Sequence, residues 1–122
     1  NNIVKNAITK IIELNYKRKN LIAIVGPCLS KENFEVDLNL KKLFLNKNIQ
    51  YKKFFLDYNK KLHFDMRGLI NFQLNEASVS KIGNIDIDTY SNKDIFFSHR
   101  YSSHKGQLPT GRMINLIGFK DF

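Results

Sequence analysis

The stretch Leu21-Ile22-Ala23-Ile24-Val25 limits this chain more than any other. It is a short, uninterrupted apolar run containing Ile and Val, the pattern of a buried strand. Gly26-Pro27 ends it, because Pro has no N–H for a ladder and Gly permits a sharp turn. Ahead of it, Ile3, Val4, Ala7, Ile8, Ile11, Ile12 and Leu14 recur at helical spacing, which predicts an amphipathic helix over 2–16.

The same reading extends along the chain. Asp37 is placed to cap a helix whose apolar side holds Leu38, Leu40, Leu43 and Phe44, broken at Asn46-Lys47-Asn48. Residues 49–64 fit either a short strand or an irregular apolar loop. Asp65 predicts a further cap, with Leu69, Ile70, Phe72, Leu74 and Ala77 as the buried side of the helix that follows. Ile82, Ile85 and Ile87 suggest a strand, with a turn at Gly83-Asn84. A polar and aromatic loop is expected from Thr89 to Gly111, and a closing strand from Met113 to Phe119. The order helix, strand, helix, helix, strand, strand fits an α/β (mixed α+β) domain of layered helices packed on a mixed sheet. Three strands make a thin sheet, so strands from further sequence are expected to complete it.

Composition narrows the function classes. A length of 122 residues is one domain or part of one. No segment reaches the ~18 consecutive apolar residues of a membrane-spanning helix, and the first residues lack a signal-peptide layout. A single cysteine, Cys28, excludes an internal disulfide and a multi-cysteine zinc site, and a cytoplasmic setting is expected. The net charge of +9 raises nucleic-acid binding. Four of the twenty basic residues are Arg, at positions 18, 67, 100 and 112, and the Lys residues are scattered without an aromatic-interleaved stripe. A solvated basic surface is therefore expected, and a basic nucleic-acid-binding module is an alternative reading.

Three sets of motifs carry a family resemblance. Ile24-Val25-Gly26-Pro27-Cys28 and Asn33-Phe34-Glu35-Val36 resemble an Ile-Gly-Pro-Cys-Ile strand exit and a Tyr-Glu-Val segment. His63-Phe64-Asp65-Met66 is similar to a His-Leu-Asp-Leu helix start. Asp88-Thr89-Tyr90-Ser91-Asn92, Ile95-Phe96-Phe97-Ser98-His99-Arg100 and Thr110-Gly111-Arg112-Met113 resemble Cys-Thr-Tyr-Cys-Asn, Phe-Phe-Ser-Tyr-Arg and Thr-Gly-Arg-Met in the same order. Together they resemble the C-terminal part of the laccase-domain (multicopper polyphenol oxidase-type) purine nucleoside phosphorylase family, over nearly the whole chain.

The resemblance implies that residues 1–122 are the C-terminal part of a single domain. The implied activity is metal-dependent phosphorolysis of adenosine or inosine to base and ribose 1-phosphate, with adenosine deamination and methylthioadenosine cleavage in many members. The implied metal is zinc, with copper as the alternative, held by two His and one Cys upstream of Asn1. The fragment alone is then expected to be inactive, its partners being purine nucleosides, phosphate and the N-terminal part of the same domain. Departures are visible: Asp88 and Ser91 replace paired cysteines, Tyr101 replaces a second Arg, and Ser102 to Leu108 lengthen a loop.

Each candidate residue has a functional and a structural reading. Arg100 and Arg112 offer the planar fork suited to phosphate, or they fix loops through backbone carbonyls or a salt bridge. Cys28, at a Gly-Pro turn, is a substrate-pocket candidate and, given a nearby base, the nucleophile of a cysteine hydrolase. The other reading of Cys28 is an inert thiol. His99 and His104 flank Arg100 and are suited to proton transfer, or lie idle on a loop; His63 is expected to pack against or support a turn. Phe96 and Phe97 are able to stack on a purine, but as adjacent aromatics at a strand end they are expected in the core.

Overall fold

The computed structural model describes residues 2–118. Helix α1 spans Ile3–Glu13, followed by strand β1, Ile22–Val25, and helix α2, Leu38–Leu45. A 3-10 segment, Ile49–Phe54, leads into β2, Phe55–Tyr58, and β3, Lys61–Phe64. Helix α3 is Met66–Glu76, β4 is Lys81–Asn84 and α4 is His99–His104. The architecture is mixed α/β, as the sequence predicts. The parallel pair β1–β4 and the antiparallel pair β2–β3 lie in separate two-stranded sheets.

Local chemistry fixes the element ends. Asp37 caps α2, its carboxylate accepting from Leu40 N at 2.7 Å, and Asp65 caps α3, accepting from Gly68 N at 2.8 Å. A Cβ at Gly68 would lie 2.5 Å from Asp65 Oδ2 and 2.8 Å from its Cγ, so a larger residue there would push the capping carboxylate aside. Helix α1 stops earlier than its apolar periodicity, with Asn15 adopting a left-handed φ of 65° just beyond Leu14. The stretch 49–64, a short strand or an apolar loop by sequence, is a 3-10 segment followed by the β2–β3 hairpin. Asn59 and Lys60 both take positive φ, 50° and 63°, the twist that a two-residue hairpin turn needs.

Two apolar clusters form the core, on different sides of α3. Tyr51, Phe54, Phe55, Phe64 and Leu69 make an aromatic cluster, with Phe34, Phe44, Met66 and Phe72 packed on it. Ile8, Val25, Leu74 and Val79 make the second, joining α1, β1 and α3. Segment 34–36 adds to β3, through Phe64 N donating to Phe34 O and Val36 N to Leu62 O. The other face of β1 leaves Ile22 and Ile24 exposed, 55% and 46%, where parallel strands are ordinarily covered on both faces.

Several local expectations are revised. Leu38 and Leu43 of α2 face solvent, and Phe44 is the residue that reaches the core. Strand β4 takes in Gly83 and Asn84 as paired residues and stops there, so Ile85 and Ile87 lie beyond it. The expected loop 89–111 contains α4, capped by Ser98. No strand forms over Met113–Gly118, for want of a paired neighbour among the described residues, and Phe119 lies outside them.

Phe64 touches the rings of Phe34, Phe44 and Phe55 at centroid separations of 5.5, 5.2 and 4.9 Å. Phe64→Ala is expected to destabilise the chain by about 3–5 kcal/mol, and Phe64→Leu by less, in urea unfolding followed by far-UV circular dichroism. A loss below about 1 kcal/mol for the alanine variant would place the core elsewhere.

Candidate functional site

Strands β1 and β4 run parallel, so both deliver their carboxyl ends to one edge of the sheet, the usual position of a binding crevice in α/β folds. Past that edge the chains stay together. Ile85 N donates to Val25 O, Cys28 N to Ile87 O and Thr89 N to Cys28 O, pairing Cys28 with Asp88.

Asp88 is the polar centre of this edge. Its Oδ1 accepts from Ser30 N at 3.0 Å and Tyr90 N at 3.2 Å. Its Oδ2 accepts from Asn33 Nδ2 at 2.6 Å, Ser91 N at 3.0 Å and Ser91 Oγ at 2.6 Å. Partial burial pushes this carboxyl up, but the hydrogen bonds from Ser91, Ser30 and Tyr90 outweigh it and hold the group below its ordinary value. The two positions where the resemblance leads one to expect paired cysteines, Asp88 and Ser91, thus touch one another through a charge-assisted hydrogen bond.

Cys28 lies half-buried beside Arg67. Burial pushes its thiol up, and the carboxylates of Asp65 and Asp88 push the same way, outweighing the Arg67 guanidinium. Among the described residues no histidine is hydrogen-bonded to it: His63 Nδ1 is 2.8 Å from Lys31 O and His104 Nδ1 is 3.0 Å from Tyr90 Oη. An inert thiol matches this geometry, and a thiolate–imidazole nucleophile does not.

Arg67 is the residue that sequence reasoning passed over. Only 16% of its side chain is exposed, and its guanidinium donates to Ile85 O and Ile87 O while Nε sits 3.6 Å from Asp86 Oδ1. It therefore pins the segment after β4 to the first turn of α3. Arg is scarce beside Lys in this chain, four of twenty basic residues, and that scarcity is the sequence signal that marks Arg67.

The other candidates have partners of their own. Arg100 is half-buried; its Nη1 donates to Glu35 O at 2.9 Å and its guanidinium carbon stands 5.6 Å from the Phe34 ring centroid. It lines a depression of about 670 Å³ with Phe34, Leu43 and His104. Arg112 is exposed, and its Nη1 donates to Thr110 O at 3.1 Å and Gly111 O at 3.3 Å. Both guanidiniums thus make loop-carbonyl bonds. His99 is exposed. His63 is buried against Tyr58, as a packing role requires.

Phe97 departs from expectation. The core reading fails for it, since 57% of the residue is exposed, whereas Phe96 is half-buried. Both rings line a groove of about 410 Å³ with Tyr101, Gln107, Thr110 and Gly111. The Phe-Phe-Ser and Thr-Gly-Arg motifs, separate in sequence, meet there. A groove of about 800 Å³ beside α1 and the end of α3 is bordered by Lys5, Arg18, Lys47, Tyr51, Gln73 and Glu76. No group of three or more His, Cys, Asp or Glu suited to a metal occurs among the described residues. No described helix is long and apolar enough to cross a membrane.

Residues 1–120 match the family described as multi-copper polyphenol oxidoreductase laccase. The chain is 41% identical over 116 residues to a purine nucleoside phosphorylase of Rickettsia prowazekii (strain Madrid E), covering 93% of this chain and 47% of that protein. It is 42% identical over 122 residues to a purine nucleoside phosphorylase of Rickettsia conorii (strain ATCC VR-613 / Malish 7), covering 98% and 50%. A purine nucleoside phosphorylase of Shigella flexneri is 28% identical over 101 residues, covering 83% and 40%. The chain therefore spans about half the length of the curated relatives it matches.

Two measurements check this geometry. Asp88 is ionised at neutral pH whether folded or unfolded. Because the folded carboxyl titrates below the unfolded one, near 3.8, its contribution to stability is complete above that value and is lost as pH falls through the lower one. Asp88→Asn is expected to cost roughly 1 kcal/mol at pH 7, discounted for a carboxylate open to solvent. The gap from the parent sequence should close between about pH 5 and pH 2; a gap constant with pH would remove the carboxylate from this role. Iodoacetamide should modify Cys28 more slowly than a free cysteine at pH 7.5, and an equal or faster rate would mark an activated thiol.

Proposed function

The chain belongs to the multi-copper polyphenol oxidoreductase laccase family, and from that premise we propose that it is the C-terminal part of a purine nucleoside phosphorylase domain. The observation that carries this reading is the 41–42% identity, over more than nine-tenths of the chain, to two relatives bearing that activity as their name. The open face of β1, with Ile22 and Ile24 exposed, supports the further proposal that additional sequence completes the domain. The setting we propose is cytoplasmic, with purine nucleosides and phosphate as ligands.

In the proposed reaction a phosphate oxygen bonds to the anomeric carbon of adenosine or inosine as the carbon–nitrogen bond to the base breaks. The bonding pair leaves on the purine nitrogen, which takes up a proton. Phosphate needs fixed positive charge in a partly dry site, and Arg112 and Arg100 are the proposed donors. Each is already oriented through Nη1 on a loop carbonyl, which reduces the ordering needed to receive an anion. Cys28 contributes the wall at the Gly26-Pro27 turn. Adenosine deamination and methylthioadenosine cleavage belong to the same proposal.

Zinc, or copper, does not fit the residues described. Cys28 lies beside Arg67 with a raised thiol, and the buried His63 already has its Nδ1 on Lys31 O. We place the metal ligands in the other part of the domain.

The test is phosphate-dependent release of hypoxanthine from inosine, or adenine from adenosine, by a protein of the relatives' full length containing this sequence. The 122-residue chain is assayed beside it with zinc controlled. Activity is expected in the longer protein alone. Arg112→Ala and Arg100→Ala should each raise the KM for phosphate by about tenfold or more, the loss of one charge-assisted hydrogen bond. Base release independent of phosphate would overturn the phosphorylase reading, and activity in the short chain would overturn the division of the site.

A further inference from the structure

We propose that the groove formed by Phe96, Phe97, Tyr101, Gln107, Thr110 and Gly111 is a stacking subsite for a flat heteroaromatic ring, the purine base of the reaction proposed above, on which reading this assignment rests. Phe97 carries the argument. A large ring more than half exposed is unremarkable when it projects from a convex surface, but this one lines a concavity together with two other aromatic side chains.

The ring is also held. A Cβ at position 111 would lie 2.6 Å from Phe97 Cε1 and Cζ and 2.8 Å from Cδ1, so the backbone reaches the ring there because residue 111 is glycine. Gly111 thus braces part of the ring and leaves the rest open. A braced aromatic surface stacks a base with little ordering cost.

The rest of the wall is built to the same end. The buried Ser98 accepts from Tyr101 N at 3.3 Å, fixing the turn that carries Tyr101. Tyr101 packs edge-on against Tyr90 at 5.6 Å, with Lys93 Nζ 5.7 Å from its ring centroid. Gln107 N donates to Ser102 O at 2.8 Å, which folds the end of α4 back and sets Gln107 on the groove wall. An amide and a hydroxyl, from Gln107 and Thr110, supply both donor and acceptor capacity for the edge of a base.

Size and charge select the occupant. About 410 Å³ lies at the low end of small-ligand sites, room for one nucleoside. Arg112 bonds the carbonyls of Thr110 and Gly111, two groove-lining residues, so its positive charge stands at the rim where the phosphate of a bound nucleoside–phosphate pair would lie. A covering apolar segment of another polypeptide would have no use for that charge or for the wall's amide and hydroxyl.

Adenine, inosine and ribose 5-phosphate are titrated separately into a protein of the relatives' full length containing this sequence and followed by ligand-detected and aromatic-resolved NMR. Adenine and inosine are expected to bind, with shifts at Phe97 and Tyr101, and ribose 5-phosphate alone to leave those rings unmoved. Phe97→Leu should weaken base binding about 5- to 100-fold, as loss of one base–aromatic stack does, while Phe97→Tyr keeps it within about threefold. Gly111→Ala, which displaces the ring, should act like Phe97→Leu with the far-UV spectrum unchanged. Base binding insensitive to Phe97→Leu, or no base binding by a folded chain, overturns the subsite. The two readings separate cleanly. Phe97-dependent base binding without phosphorolysis at any chain length leaves the stacking site and removes the phosphorylase. Phosphorolysis with an unchanged nucleoside KM in Phe97→Leu does the reverse.

Discussion

Helix α3 is wanted on three sides at once, and the rest of the structure is arranged around that demand. Met66, Leu69 and Phe72 face the aromatic cluster, and Ile70, Leu74 and Ala77 face α1 and β1. A third line, Arg67 and Asn71, reaches the end of β4, where Asn71 and Asn84 exchange amide hydrogen bonds at 2.9 and 3.1 Å. No residue from Met66 to Leu74 is exposed. An eleven-residue helix rarely folds on its own propensity, so these contacts are what make α3 a helix. In turn α3 sets the distance between the hairpin and the parallel pair.

The same helix couples packing to the candidate site. Its first turn carries both Asp65, which caps it, and Arg67, which grips the carbonyls of Ile85 and Ile87. That grip holds the β4 exit beside the β1 exit, and the pairing of Cys28 with Asp88 follows. Asp88 then gathers Ser30, Asn33, Tyr90 and Ser91. A single carboxylate with five donors ties the two loops where a pair of cysteines is expected from the family resemblance, so the function of those positions here is hydrogen bonding rather than sulfur chemistry.

The polar edge and the aromatic groove are linked through Tyr90. Its backbone N–H donates to Asp88, while its ring packs on Tyr101 and its hydroxyl meets His104. The loop that organises the strand exits therefore also braces α4. The three candidate ligand residues have separate hydrogen-bonding and packing partners. Cys28 belongs to the strand edge, Arg100 to the Phe34–Glu35 side of α4 and Arg112 to the rim of the groove.

Much of the scaffold was legible in the sequence. Helix periodicity marks α1 and α3, Asp37 and Asp65 announce the caps of α2 and α3, and Leu21–Val25 with Gly26-Pro27 marks β1 and its end, because each depends on neighbours within a few residues. The motif series also fixed the family. The hairpin at 55–64 was not legible, since Asn59-Lys60 is a weak turn signal and its positive φ values are imposed by the pairing around it. Arg67 gripping two carbonyls, Asp88 gathering donors from residues 30 and 33, and Phe97 standing open against Gly111 all join positions far apart in sequence. Local chemistry determined the elements and their ends. Only tertiary packing decided which side chains share a space, because burial and long-range hydrogen bonding are properties of the assembled chain.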